Sequence, residues 1–165
     1  MTPLTAEAFA PYGEVVEARG ETVGINAGTA RRYPDLARLD AGPNGRASVS
    51  LFRAVARPLP FTLQLMERHP LGSQLFFPIG DAPYVVAVAA AGPAPEASDI
   101  RLFLARPAQG VNFGRGVWHH PLIALFAPAL FLVIDRIGEG ENCDEVTLVG
   151  PPIVTEVEVR ALLGP

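Results

Sequence analysis

The sequence predicts an all-β fold, an antiparallel β-sandwich or small jelly-roll barrel with only minor short helices. Glycine and proline contribute 16 and 17 of the 165 residues, and helix breakers spread this widely disfavour a helical bundle. A hydrophobic fraction of 49% and a charged fraction of 18% are too apolar for a disordered chain. Short apolar runs separated by turn residues complete the pattern of a β-protein rich in turns.

The elements follow from local patterns along the chain. Residues 5–9 predict one helical turn that is capped by Thr5 and stopped at Pro11. The turn-rich segment 22–45 predicts a short strand and an extended loop. Strands are then predicted over 46–51, 61–69, 73–79, 84–91, 100–106, 117–122, 129–136 and 145–149. The tail, 151–163, fits either a weak helical stripe or a terminal strand. Because no linker or internal repeat interrupts this series, we expect one domain over residues 1–165.

Charge and composition exclude several classes of function. All 13 basic residues are arginine, so the chain has no lysine for Schiff-base chemistry, for a lysine base or for a P-loop. A formal charge of −4 without a basic run disfavours nucleic acid as a partner. The single cysteine, Cys143, cannot form an internal disulfide, as is usual in a reducing compartment. Without a signal peptide or a run long enough to span a membrane, we expect a cytoplasmic protein with no membrane partner.

The segment 61–69 contains the most informative strand pattern. Its odd positions carry apolar residues up to Leu65, followed by Glu67 and His69. Since side chains alternate between the faces of a strand, we expect one core-facing stripe to end in a carboxylate and an imidazole. Buried ionisable groups are costly unless they are paired or bound to a cation. A metal, a substrate or an arginine salt bridge is therefore expected at Glu67.

The three histidines of the chain are His69, His119 and His120. The last two are adjacent on a predicted strand and must face opposite sides, so only one of them can share a site with His69. Gln74 lies beyond a glycine-containing turn, where a neighbouring strand can bring it beside His69. The competing interpretation is that these are hydrogen-bonded structural residues, the more common role of a lone histidine in a β-core.

Two segments resemble the two cupin motifs in degenerate form. In Glu-Arg-His-Pro-Leu-Gly-Ser-Gln, Glu67 replaces the usual first histidine, His69 keeps the second, and Gln74 stands in place of the glutamate. The segment 114–119 resembles the end of the second motif, with His119 as the last ligand. The resemblance implies a cupin-like fold and a divalent metal, Ni²⁺, Mn²⁺ or Zn²⁺, held by Glu67, His69, Gln74 and His119. It implies no organic cofactor.

Longer blocks resemble the ureidoglycolate lyase family, cupin-fold enzymes of allantoin degradation in purine metabolism, over almost the whole chain. These blocks are Ile25–Gly28, Ser50–Ala54, Glu67–Pro70, Gln109–Asn112, Gly116–Pro121, Phe131–Arg136 and Asn142–Cys143. Pro34 departs from the family, whose members often carry histidine there, and Gly114 occupies a second divergent position.

The family resemblance implies a carbon–nitrogen lyase of the amidine-lyase type that cleaves (S)-ureidoglycolate to glyoxylate and urea. It also implies a homodimer. Two alternatives stay open on the residues themselves. One is hydrolysis of ureidoglycolate with release of ammonia, and the other is a non-catalytic cupin-fold protein that binds a small molecule.

The lyase reaction needs a base for the substrate hydroxyl, an acid for the departing nitrogen and a cation for the carboxylate. We predict that His69 and His119 are catalytic and that Glu67 either orients them or joins them as a metal ligand. Since the chain has no lysine, an arginine or a metal must hold the carboxylate, and Arg115, in the turn before His119, is the first choice. Further substrate contacts are predicted from Gln74, Asn112 and Tyr33.

Overall fold

The computed structural model describes residues 1–164, which form sixteen short strands and two short α-helices. The strands are β1 (Thr2–Pro3), β2 (Gly13–Val16), β3 (Val23–Ile25), β4 (Ala30–Arg32), β5 (Gly45–Ala54), β6 (Phe61–Thr62), β7 (Leu65–Arg68), β8 (Gln74–Ile79), β9 (Tyr84–Ala89), β10 (Arg101–Ala105), β11 (Gly110–Phe113), β12 (Trp118–His119), β13 (Ile123–Ala124), β14 (Ala129–Gly138), β15 (Asp144–Thr147) and β16 (Ile153–Val154). The helices are α1 (Ala6–Phe9) and α2 (Glu156–Leu163), and single 3₁₀ turns cover Asn26–Gly28 and Ala97–Asp99.

Two larger sheets form the body of the molecule. A seven-stranded sheet has the order β1-β10-β9-β12-β7-β15, with β13 also paired to β9, and a five-stranded sheet has the order β2-β11-β8-β14-β5. Within residues 1–164 the strands of both sheets pair antiparallel except β1 with β10. The prediction of an all-β, cupin-like antiparallel sandwich with minor short helices is confirmed.

The two faces of β9 belong to two different hydrophobic clusters. Tyr84, Val86 and Val88 pack in a cluster that also contains side chains of the five-stranded sheet, so the two sheets face each other across it. The alternate residues of β9 pack on the outer side of the seven-stranded sheet, where Val154 and Val159 of the tail cover them. The prediction that this strand is buried on both faces is confirmed, because all six of its residues are buried.

The tail contains both of the predicted alternatives, a short strand and a helix. Residues Ile153–Val154 pair with β6 as a strand, and α2 follows at once. Thr155 begins this helix with a capping box, in which its hydroxyl accepts from the Glu158 N–H and the Glu158 carboxylate accepts from the Thr155 N–H. Near the N-terminus, the helical turn capped by Thr5 is also confirmed, since its hydroxyl accepts from the Ala8 N–H.

The prediction of one continuous strand over 61–69 is wrong. The strand is interrupted at Gln64, whose N–H donates to the Thr62 carbonyl and whose carbonyl accepts from the Leu148 N–H. After this interruption the even-numbered Met66 is fully buried in the outer cluster together with Leu63. The odd-numbered apolar stripe therefore does not continue into Glu67.

The outer face of the five-stranded sheet carries exposed aliphatic side chains. In the pairing register, Val49 lies opposite Ile134, Leu51 opposite Leu132, and Ile79 opposite Leu130, so these six residues share one face. Val49, Leu51 and Ile79 are 68%, 61% and 49% exposed. The fold thus leaves an apolar face of the five-stranded sheet uncovered.

The segment 22–45 forms a separate hairpin, β3 and β4, that pairs only with itself among the described residues. An extended loop then leads to β5, as predicted. No helix in residues 1–164 is both long enough and apolar enough to cross a membrane.

Candidate functional site

Four polar side chains converge between the two sheets. His119 lies directly opposite Glu67 in the pairing of β12 with β7. Its Nε2 atom is 3.4 Å from Glu67 Oε1 and 3.1 Å from the Oε1 atom of Gln74, the first residue of β8. The rings of His69 and His119 have centroids 5.2 Å apart. The structure thus brings together the residues that the sequence predicted as catalytic and metal-binding groups.

Strand alternation explains why these side chains face inward. Trp118, the neighbour of His119, points to the opposite face and donates its indole N–H to the Gly92 carbonyl. Arg68, the neighbour of Glu67, lies over the Trp118 ring at 4.7 Å and forms an ion pair with Asp144 at 2.8 Å. The outward residues therefore stabilise one another, and each fixes the inward direction of the residue beside it.

A turn links the two strands of the site. The Gly116 N–H donates to the His69 carbonyl at 2.9 Å, so the turn before β12 is held against the residue that follows β7. Gly116 has a φ of 73°, in the left-handed region that glycine adopts without a steric penalty. This turn sets the separation of the two histidines.

The hydrogen bonds of the two histidines define which ring nitrogen faces the site. Nδ1 of His69 lies 2.6 Å from the Asn142 carbonyl, and Nδ1 of His119 lies 3.1 Å from the Val117 carbonyl. Because a carbonyl oxygen only accepts, Nδ1 of each ring carries a proton and donates. Nε2 of His119 then contacts the Oε1 atom of Gln74, whereas the buried Nε2 of His69 has no hydrogen-bond partner within residues 1–164.

The electrostatics of the site favour an ionised carboxylate. Burial raises the pKa of Glu67, but the hydrogen bond with His119 and the charges of His119 and His69 outweigh this and hold the pKa below its usual range. His119 is only 1% exposed. Its ring stacks on Phe113 of the opposite sheet, with centroids 4.2 Å apart and planes at 6°. The imidazole is therefore fixed in position beside Glu67.

A cleft of about 600 Å³ opens onto Glu67. Apolar groups of the five-stranded sheet and of the segments that follow β5 and β12 line it, with two arginines that the sequence prediction missed. Its lining consists of Phe52, Arg53, Ala54, Val55, Arg57, Glu67, Phe76, Pro121 and Leu122. The block Ser50–Ala54, which resembles the family, includes this end of β5, but the resemblance indicated no role for its side chains.

The other predicted substrate-binding residues lie elsewhere. Arg115 forms a two-bond ion pair with Asp40, at 2.9 and 2.6 Å, and this pair lines a second cleft together with Asn112. Asn112 is buried on the face of β11 opposite Phe113, where its amide donates to Glu14. Tyr33 directly follows β4 in the separate hairpin. Within residues 1–164 no hydrogen bond connects these three residues with the histidines or Glu67, and their substrate contacts stay predictions.

Cys143 is close to the site but poorly suited to act as a nucleophile. Its sulfur lies within 4.8 Å of carboxylate oxygens of Glu67 and Glu145. Burial raises the pKa of the thiol, and the negative charges of Glu67, Glu145 and Asp144 raise it further. The thiol therefore stays protonated at neutral pH.

Comparison with known proteins identifies the family of the chain. A family model described as ureidoglycolate lyase matches residues 1–156. The chain belongs to the ureidoglycolate lyase family. A ureidoglycolate lyase of Azotobacter vinelandii is 51% identical over 87% of this chain and 87% of its own length. One of Burkholderia mallei is 52% identical over 88% of this chain and 86% of its own length. Among solved structures, a dTDP sugar isomerase from Desulfovibrio desulfuricans covers 82% of this chain and 85% of its own, with a TM-score of 0.46 and 18% identity.

His120 occupies the opposite face from His119, as the sequence predicted. Its Nδ1 lies 2.6 Å from the Pro121 carbonyl and its ring packs edge-on against Phe61 at 5.4 Å. Burial lowers the pKa of the His120 imidazole below its usual range, and the contact with the Pro121 carbonyl does not offset this. The neutral ring is therefore part of the packing of this face.

This packing predicts a pH dependence of stability. As the pH falls below about 6.5, His120 takes up a proton in the unfolded chain before it does so in the folded one, so the free energy of unfolding decreases. His120→Gln removes this contribution. Urea unfolding between pH 8 and pH 5 should show a smaller loss of stability in the variant than in the wild type. An equal pH dependence in the two proteins would contradict the packing of a neutral His120.

Proposed function

We propose that this protein cleaves (S)-ureidoglycolate to glyoxylate and urea, as a carbon–nitrogen lyase of the amidine-lyase type in allantoin and purine degradation. The observation that carries the proposal is the inward convergence of His69 Nε2, His119 Nε2 and the Glu67 carboxylate, all within 4.8 Å of one another. Of these three residues Glu67 lines the cleft, and the chain belongs to the ureidoglycolate lyase family.

The chemistry of the reaction fits this set of side chains. A base removes the proton of the carbinol hydroxyl, and the oxygen electron pair forms the aldehyde C=O. The bond between the carbinol carbon and the urea nitrogen breaks, and an acid delivers one proton to that nitrogen. One proton is taken up and one is released, so two neighbouring imidazoles suffice. Hydrolysis would instead require attack of water on the ureido carbonyl and would release ammonia.

The roles of the side chains follow from their hydrogen bonds. His119 and His69 each use Nδ1–H to bind a backbone carbonyl, which leaves Nε2 to accept or donate the transferred proton. Glu67 lies 3.4 Å from His119 Nε2 and stabilises that ring in its protonated form. We assign His119 and His69 as the base and acid pair, in either order, and Glu67 as the carboxylate that orients His119.

The same residues fit a divalent metal ion. Two buried imidazole nitrogens with their lone pairs directed inward, one carboxylate and the Gln74 carbonyl oxygen form a nitrogen and oxygen donor set suited to Ni²⁺, Mn²⁺ or Zn²⁺. The unpartnered His69 Nε2 is the atom that such an ion would satisfy. Glu67, His69, Gln74 and His119 would hold the ion, and when bound it supplies Lewis-acid polarisation of the hydroxy-acid oxygens.

We further propose that the protein is a cytoplasmic homodimer. The exposed aliphatic face of the five-stranded sheet supports the second copy as its occupant, because a two-fold axis through β5 pairs the face with itself and buries Val49 and Leu51 from both copies. Soluble monomers rarely leave apolar patches of this kind open to water.

The activity itself gives the first prediction of this proposal. Incubation with (S)-ureidoglycolate should yield equal amounts of urea and glyoxylate without ammonia, after spontaneous decay of the substrate is subtracted. His69→Ala and His119→Ala should each lower the rate at least about 100-fold, since a proton-transfer group is removed. His120→Gln, altered on the opposite face, is the matched control and should keep its rate. Ammonia release would indicate hydrolysis, and no rate above background would leave only a binding protein.

The metal gives a second prediction. Protein purified without a histidine tag should contain about one divalent ion per chain by elemental analysis, and His69→Ala should contain far less. Removal of the ion with a chelator should lower the melting temperature of the wild type but not that of His69→Ala. Metal-free protein with full activity and an unchanged melting temperature would overturn this part of the proposal.

The dimer gives a third prediction. Light scattering after gel filtration should give twice the mass of one chain for the wild type and the mass of one chain for Leu51→Glu, because a carboxylate would be buried in the interface. Val149→Glu is the control, since Val149 is 93% exposed and lies outside the five-stranded sheet. A monomeric wild type would exclude this interface.

A further inference from the structure

Binding of the substrate carboxylate in the cleft requires a cation, and the proposed reaction does not identify which residue supplies it. The substrate carries a carboxylate, and the cleft that opens onto Glu67 is lined by two arginine side chains, the residue type that binds a carboxylate with two parallel hydrogen bonds. We infer that Arg57 binds the substrate carboxylate and thereby selects ureido-acids over neutral ureas. This inference rests on the proposed lyase function and concerns the part of the substrate that does not react.

Several arginines of the described chain already bond to the protein and are not free to bind an anion. Within residues 1–164, seven of the 13 guanidinium groups already bond to protein oxygen atoms: Arg19, Arg31, Arg68, Arg101, Arg115, Arg136 and Arg160. Of the remaining six, only Arg53 and Arg57 line the cleft that contains Glu67. Any arginine that binds the carboxylate in this cleft is therefore one of these two.

Arg57 is the better placed of the pair. Its backbone N–H donates to the Ala124 carbonyl at 2.9 Å, so its main chain is fixed against β13. Its guanidinium carbon lies 5.1 Å from the centroid of the Phe61 ring, within the range of a cation–π contact. Contact with an aromatic face holds the cation in place while its N–H groups stay available for two parallel bonds to a carboxylate. Arg53 and Arg57 are both exposed, but within residues 1–164 no such aromatic contact holds Arg53, which lies near the end of β5.

Arg115 is less suited to this role than its place in the sequence indicated. Asp40 accepts from both Nε and one terminal nitrogen of Arg115, and this ion pair holds the pKa of Asp40 below its usual range. A substrate carboxylate would have to displace Asp40 from the same edge of the guanidinium. Arg106 is the matched control for Arg57, since it is an equally charged, exposed residue that does not line this cleft.

Steady-state kinetics with (S)-ureidoglycolate test the inference. Arg57→Ala should raise KM about 10- to 100-fold, the effect of losing a hydrogen-bonded charge, and Arg57→Lys should raise it less, because it keeps the charge without the fork. Arg106→Ala should stay within about twofold of the wild-type KM, as is usual for a surface substitution away from the site. An unchanged KM in Arg57→Ala would overturn the inference.

Inhibition by two small molecules separates binding of the carboxylate from a structural effect. Glyoxylate retains the carboxylate of the substrate, whereas hydroxymethylurea is the substrate without it. Arg57→Ala should weaken competitive inhibition by glyoxylate at least about tenfold and leave inhibition by hydroxymethylurea within about twofold. Equal weakening of both would mean that Arg57 only supports the fold of the cleft, which contradicts the inference. A wild type without lyase activity would instead reject the proposed function.

Discussion

The contact between Glu67 and His119 is the interaction on which the rest of the site depends. Each of these groups would be costly to bury alone, and together they offset much of that cost. The contact also joins β7 to β12 at the point where the hydrophobic cluster between the sheets gives way to polar residues. Phe113 and Gln74 approach His119 from the other sheet, so the position of the imidazole depends on both layers of the sandwich.

A rigid scaffold surrounds this polar contact. Because β9 is buried on both faces, it has little freedom to move. Its pairing with β12 fixes the backbone of His119 in the same way. Backbone carbonyls then fix the orientation of both imidazoles, at Val117 and Asn142. The reactive nitrogen atoms are therefore positioned by main chain on well-packed elements, which is how a site keeps its geometry without many supporting side chains.

Local periodicity predicted the parts of the structure that depend on neighbouring residues. Alternation along a strand correctly separated His119 from His120, and the cupin-like motifs placed Glu67, His69 and Gln74 together. The interruption at Leu63 and Gln64 was missed because the Leu63 N–H donates to the Pro152 carbonyl and the Gln64 carbonyl accepts from the Leu148 N–H, both beyond β15. No local pattern can reveal contacts made by a segment so far along the chain.

The arginines show that local sequence patterns also fail to reveal the partners of charged residues. Arg115 is next to the site in sequence, but its partner Asp40 lies in a loop far from it along the chain. Arg57 follows a strand of the other sheet and reaches the cleft only through the packing of its segment on β13. The proposal of Arg57 rather than Arg115 therefore rests on the three-dimensional pairing of charges, which distance along the chain does not show.

The cationic side chains of the two clefts are all guanidinium groups, and this has a chemical consequence for the protein itself. Glyoxylate, the product of the proposed reaction, is an aldehyde, and aldehydes condense readily with the primary amine of lysine to give imines. A chain that carries 13 arginines and no lysine presents its product with cations that hold its carboxylate but have no ε-amino group to react with its carbonyl. No side chain of the protein therefore offers glyoxylate a primary amine with which to form an imine.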